Sequence, residues 1–72
     1  MPTARERLFI LDQQIEHARH AIDERRSLVR LKEQQGEATE VAQRLLGHLQ
    51  HSLDDMIEFR DRMLRELEQT GG

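Results

Sequence analysis

The stretch QQGEATE, residues 34–40, contains the strongest signals in the chain for ending one helix and starting another. Gly36 can adopt the left-handed backbone conformation that ends a helix at little cost. Thr39 is a preferred N-cap residue, and the carboxylate of Glu40 behind it complements the positive end of a helix dipole. The stretch therefore predicts a turn at residues 36–38 between two helices.

The sequence on both sides of this turn predicts two long helices. Thr3 followed by Glu6 has the spacing of a capping box, in which each side chain accepts a backbone N–H of the other residue. Between these residues and the turn stretch, neither glycine nor proline interrupts the chain. We expect helix 1 over about residues 3–35 and helix 2 over about 39–69, so that residues 1–72 form a single all-α, antiparallel two-helix hairpin.

Apolar residues recur in both predicted helices at alternating steps of three and four, which is the spacing of a coiled-coil seam. The seam residues are Ala4, Leu8, Leu11, Ile15, Ala18, Ile22 and Val29 in helix 1, and Leu46, Leu49, Leu53, Met56, Met63 and Leu67 in helix 2. Facing residues of an antiparallel pair have numbers with a constant sum, and 74 or 75 matches both seams. This register places Ile15 against Phe59, which shares its seam position with Arg60. Arg25, opposite Leu49, interrupts the seam of helix 1.

Gly47 lies inside the predicted second helix. Glycine in a helix costs about 1 kcal/mol relative to alanine. The sequence leaves two interpretations open, a close contact with the other helix or a tolerated weak position.

Further apolar residues lie outside the seam, where a single hairpin does not cover them. They form one group far from the turn, Ile10, Ile57 and Leu64, and one near it, Leu28, Leu31, Val41 and Leu45, with Ala42. A self-complementary surface needs no second gene product, and two hairpins related by a two-fold axis form a four-helix bundle. We predict a homodimer with these seven large residues in its interface. Another protein is the alternative partner, and scattered surface leucines are also normal in any protein.

Charge and aromatic content argue against nucleic-acid binding. Aromatic residues make up 3% of the 72 residues, too few to build base-stacking platforms, and the net charge of −3 has the wrong sign for a phosphate-backbone binder. A basic cluster in helix 1, Arg25, Arg26, Arg30 and Lys32, leaves a nucleic-acid-associated regulator as a hypothesis. These cations also lie where a helix C-terminus favours them. We therefore expect no nucleic-acid partner.

Catalytic and membrane-spanning patterns are missing from the sequence. Its few hydroxyl residues show no recognisable base-and-orienter arrangement, so we expect neither an enzyme nor a bound cofactor. The longest apolar run, residues 8–11, is far shorter than the roughly 20 residues of a membrane span. Cysteine is absent, which fits a reducing compartment. The pattern predicts a soluble cytoplasmic protein.

Four histidines form two pairs with a spacing of three residues, His17 with His20 and His48 with His51. Residues three apart are neighbours on a helix surface, so each pair could hold a divalent transition metal. The Glu-x-x-His motifs of di-iron bundles do not occur at His17 or His20. We therefore favour solvent-facing histidines and no metal, with a metal-binding bundle as the alternative function.

The chain from about Gln14 to Leu67 resembles a family of small proteobacterial helical-hairpin proteins to which no activity is assigned. The resemblance lies in Ile15-Glu16, the Arg-rich second half of helix 1, Gly36 with Thr39, Ala42 with Leu45-Leu46, and residues 59–62 and 64–67. It implies a hairpin fold and a bacterial cytosolic setting, and it carries over no functional residue. Together with the apolar groups, it leads us to expect a non-enzymatic protein-interaction or regulatory adaptor module that self-associates.

Overall fold

The computed structural model describes residues 2–69 and contains, within them, two α-helices and no β-strand. The first helix, α1, spans Ala4–Gln34, and the second, α2, spans Glu40–Gln69. They pack against each other in an elongated molecule of 55 × 17 × 15 Å. The all-α, two-helix architecture predicted from the sequence is confirmed. Neither helix combines the length and apolar content that crossing a membrane requires.

The predicted N-cap of α1 is present. Thr3 has an extended backbone, and its hydroxyl oxygen accepts the backbone N–H of Glu6 at 3.1 Å. The Thr3 carbonyl accepts the N–H of Arg7 at 3.0 Å, which starts the helical hydrogen bonding. One side chain thus satisfies a backbone donor that the first helical turn leaves free.

The end of α1 is a complete Schellman motif. Gly36, directly after the C-cap residue Gln35, has a φ of 77°, the left-handed conformation expected from the sequence. The Gly36 N–H donates to the carbonyl of Glu33 at 3.0 Å, and the Glu37 N–H donates to that of Lys32 at 2.9 Å. These two bonds satisfy carbonyls of the last turn that have no hydrogen-bond donor within the helix, and they end the helix at the predicted place.

A side-chain contact joins the end of α1 to the start of α2. Thr39 directly precedes α2, and its carbonyl accepts the N–H of Gln43 at 2.8 Å. The side-chain amide of Gln43 donates to the Thr39 hydroxyl at 3.0 Å and to a Glu33 carboxylate oxygen at 2.7 Å. Gln43 therefore fixes the turn from both sides.

The core is the predicted seam between the helices. Ile15, Ile22, Val29 and Leu53 are buried, with 3% to 8% of their surfaces exposed. Six further side chains pack at partial burial against Ile15, Ile22 and Leu53. Five are seam residues, Leu11, Ala18, Leu46, Leu49 and Met56, and the sixth, Ile57, lies outside the predicted seam. Seam residues at steps of three and four lie on one helix face, which explains why these residues meet.

The predicted contact between Ile15 and Phe59 is wrong. Phe59 is exposed, and Arg60 is the half-buried residue at this position of the seam. The reason is the seven-residue repeat, since Arg60 follows the buried Leu53 by seven residues and Phe59 by six. One residue rotates a helix by about 100°, which turns the phenyl ring out of the seam toward one side of the hairpin.

Gly47 is not a site of close helix contact. A methyl group built at its Cα would meet nothing within 4 Å. Of the two interpretations open from the sequence, the structure supports a tolerated weak position.

Candidate interaction surface

Three hydrogen bonds between side chains join α1 to α2 within residues 2–69. They run from Arg60 Nε to Asp12, from Arg26 Nη2 to Gln50 at 3.0 Å, and from Gln43 Nε2 to Glu33 at 2.7 Å. On α1 the bonded residues belong to a row with a step of seven, Asp12, Arg19, Arg26 and Glu33. On α2, Gln43 and Gln50 belong to the row Gln43, Gln50, Ile57 and Leu64, and Arg60 is a seam residue beside this row whose side chain reaches Asp12. A seven-residue step keeps a row on one side of a helix pair. We call the side formed by these two rows the bridged side.

The three apolar residues that the sequence grouped far from the turn lie on two different sides of the hairpin. Ile57 packs against the core and lines a groove of about 340 Å³ with Asp12, Arg19 and Arg60 among others. Leu64, seven residues later, is half-buried in the same row. Ile10 lines a different groove, on the opposite side of the hairpin. These residues therefore do not form one surface.

Arg60 makes the polar contact farthest from the turn. Its Nε donates to an Asp12 carboxylate oxygen, and its Nη1 lies 3.6 Å from a carboxylate oxygen of Asp61. Both Arg60 and Asp12 are half-buried. Water still reaches such a pair, so its contribution to stability is on the order of 1 kcal/mol or less.

The opposite side of the hairpin exposes large apolar side chains. Its rows are Arg7, Gln14, Ala21 and Leu28 on α1, and Leu45, Ser52, Phe59 and Glu66 on α2. Ile10 lies one helical turn from Arg7, and Val41 one turn from Leu45. We call this surface the open side. Its large apolar residues are exposed as follows: Val41 77%, Leu28 55%, Phe59 55%, Ile10 51% and Leu45 43%.

Two grooves run along the open side. The larger, about 400 Å³, lies far from the turn, and its lining includes the apolar Ile10, Leu11, Phe59 and Met63 and the charged Arg7 and Glu66. The smaller, about 90 Å³, lies near the turn and is lined by Arg25, Leu28, Val29, Lys32 and Ala42. Apolar side chains accompanied by charged ones are typical of surfaces that bind other proteins.

Four of the seven predicted interface residues, Ile10, Leu28, Val41 and Leu45, lie on the open side, and Leu31 lies at its outer margin with 49% exposure. Ile57 and Leu64 lie on the bridged side. Sequence reasoning missed Phe59, because its spacing from neighbouring apolar residues also fits the seam. The signal that identifies it is its place seven residues after Ser52 and fourteen after Leu45.

The basic cluster of α1 is divided between the two sides. Arg25 and Lys32 line the groove beside Leu28, whereas Arg26 bonds to Gln50 on the bridged side. Arg25 is exposed, and Arg26 is the arginine that reaches across to α2. The four predicted cations therefore do not form one continuous positive surface.

All four histidines are exposed, and two of them pair with a carboxylate one turn away. His20 Nε2 lies 3.8 Å from Glu16, and His51 Nε2 lies 3.8 Å from Asp55. Within residues 2–69, no group of three or more histidine, aspartate or glutamate side chains is arranged to hold a metal ion. The structure thus gives the predicted histidine pairs no third ligand.

Comparison of the chain with models of protein families, with curated proteins and with solved structures gives no match. What the open side can do is therefore argued from its own contacts and exposed side chains.

Proposed function

We propose that this protein is a non-enzymatic interaction module whose open side binds the open side of a second copy, forming a four-helix bundle. The observation that carries the proposal is the asymmetry of the hairpin. All three side-chain hydrogen bonds between the helices of residues 2–69 lie on the bridged side, and the exposed Ile10, Leu28, Leu45 and Phe59 lie on the other.

The small core of a single hairpin supports association. Only four side chains of residues 2–69 are buried, and none of these falls below 2% exposure. A pair of helices buries one stripe on each helix, whereas a bundle buries two. A second copy on the open side would extend the core by the apolar walls of both grooves.

A second copy fits the open side better than a peptide or a small ligand does. The exposed apolar residues occur at both ends of this surface, about 27 Å apart for Ile10 and Leu28, because the 18 residues between them rise about 1.5 Å each. Another hairpin is long enough to cover both ends at once. Burying a half-exposed leucine or phenylalanine contributes on the order of 1 kcal/mol. Two-fold symmetry doubles each of these contributions.

The adaptor role follows from the same surface. A helical partner of another sequence with a matching apolar stripe could replace the second copy, and this exchange would make self-association a means of regulation. We place this activity in the cytoplasm, as expected from the sequence.

The direct test is the mass in solution over a concentration series, by light scattering or sedimentation equilibrium. We expect twice the chain mass of 8.5 kDa at high concentration. Phe59→Asp should shift the equilibrium to monomer, because the two-fold axis places this charge in the interface twice.

Phe9→Asp is the matched control. Phe9 is 62% exposed, close to the 55% of Phe59, and lies one residue, about 100° of rotation, away from Ile10 on the outer face of α1. We expect this variant to keep the wild-type mass. A monomeric wild-type chain at millimolar concentration, or equal dissociation constants for the two variants, would refute the proposal.

A further inference from the structure

We propose that the two copies pack with their turns at the same end, so that α1 of each copy lies over α2 of the other. This inference rests on the proposed function, since it specifies how the second copy sits on the open side. A two-fold axis parallel to the long axis of the hairpin gives this same-end arrangement. An axis perpendicular to it, within the interface, gives the opposite-end arrangement, with α1 over α1.

Apolar matching does not separate the two arrangements. In the same-end arrangement each residue keeps its height along the bundle, so Leu28 lies over Leu45 of the second copy. In the opposite-end arrangement, facing residues of the two α1 helices have numbers that sum to about 38, because α1 spans Ala4–Gln34. Ile10 then faces Leu28 of the second copy. Both solutions cover apolar side chains with apolar side chains.

The charged residues distinguish the same-end arrangement from the opposite-end arrangement. Arg7 and Glu66 line the same groove at the far end of the open side. In the same-end arrangement the two arginines and two glutamates of both copies alternate around the bundle. In the opposite-end arrangement Arg7 comes within one residue of Lys32 of the second copy. Facing residues of the two α2 helices have numbers that sum to about 109, because α2 spans Glu40–Gln69, so Asp55 faces its own equivalent. Like charges in contact oppose association, so the same-end arrangement is favoured.

The other charged residues along the open side do not change this balance. At the heights of Glu24, Arg25 and Arg62, the open side of the second copy presents histidine or uncharged side chains in either arrangement, including Gln14 and His48. Their contributions to the two arrangements are therefore similar. The contrast rests on Arg7, Lys32, Asp55 and Glu66.

The sequence contains no cysteine, so a single cysteine can be introduced and spin-labelled without side reactions. Glu37→Cys places the label at the exposed turn. Helices in contact are about 10 Å apart, so the same-end arrangement should give a distance between labels of roughly 20–25 Å. The opposite-end arrangement should give more than about 40 Å, since a 30-residue helix is about 45 Å long.

A mixed sample provides the matched control. When copies labelled at Arg5→Cys are mixed with copies labelled at Glu37→Cys, the distance between different labels should be long in the same-end arrangement and short in the other. A dimeric mass with this pattern reversed overturns the inference and leaves the proposed function standing. A monomeric mass under the same conditions overturns both.

A charge reversal gives a second measurement with opposite signs for the two arrangements. Arg7→Glu makes the ring of four charges uniformly negative in the same-end arrangement, and we expect the dissociation constant to rise about tenfold. Adding Glu66→Arg restores the alternation and should restore most of the affinity. In the opposite-end arrangement Arg7→Glu would instead face Lys32 and tighten the dimer, an outcome that contradicts the proposal.

Discussion

Gly36 and Gly47 differ in whether their backbone conformation requires glycine. Gly36 occupies the left-handed conformation that closes the Schellman motif, where a side chain would be strained. Gly47 has ordinary helical geometry and open space where a side chain would be. The same amino acid is therefore required at the first position and unfavourable at the second.

Replacing each glycine by alanine should change stability in opposite directions. We expect Gly47→Ala to raise the free energy of unfolding by about 1 kcal/mol, because alanine is the better helix former. Gly36→Ala should lower it by about 1 kcal/mol or more, since φ is 77° there. Urea unfolding followed by circular dichroism at one protein concentration measures both. Loss of stability in Gly47→Ala would show that this position has a contact outside the hairpin.

Each helix is organised by the seven-residue repeat, and this repeat determines how much of the fold could be predicted from the sequence. The repeat predicted the buried positions Ile15, Ile22, Val29 and Leu53, and Gly36 with Thr39 predicted the turn between the helices. Phe59 was assigned to the seam wrongly, because hydrophobicity alone favours an apolar residue over the neighbouring arginine. The exact step of seven from Leu53 selects Arg60, and the contact of Arg60 with Asp12 in the packed helices agrees with this assignment.

The pair of Asp12 and Arg60 can be measured against a pair within one helix. A double-mutant cycle with Asp12→Asn and Arg60→Gln should give a coupling energy of up to about 1 kcal/mol, because both groups are half-buried. The exposed pair of Glu58 and Arg62, 3.2 Å apart within α2, should give about 0.3 kcal/mol in the same assay. Equal coupling in the two cycles would mean that the interhelical contact adds nothing specific.

The whole molecule is long, thin and poorly buried. A body of 55 × 17 × 15 Å has much surface for its volume, and a chain of 72 residues buries only about 60% of the surface that it exposes when unfolded. The open side could be located from the sequence only in part. Ile10, Leu28, Val41 and Leu45 were recognised as uncovered, whereas the side of the hairpin that each residue occupies required the interhelical contacts.

Stability should therefore depend on protein concentration. At a protein concentration one hundred times the dissociation constant, association should stabilise the folded state by about 2.7 kcal/mol. The melting temperature should then be higher by roughly 5 °C or more. Calorimetry or circular dichroism at several concentrations tests this. Phe59→Asp should remove the dependence and Phe9→Asp should keep it. A wild-type melting temperature that is independent of concentration would contradict the proposed association.

The position of Arg60 has a consequence for alignment errors during folding. A repeating seam lets one helix slide past the other by a full repeat and still bury leucine against isoleucine. Shifted by seven residues in either direction, Arg60 would leave Asp12 and arrive beside Arg5 or Arg19, and both of these are cations. A misthreaded hairpin thus meets electrostatic repulsion where the correct one meets attraction. A single arginine in the seam therefore selects the correct register of the two helices over registers shifted by one repeat.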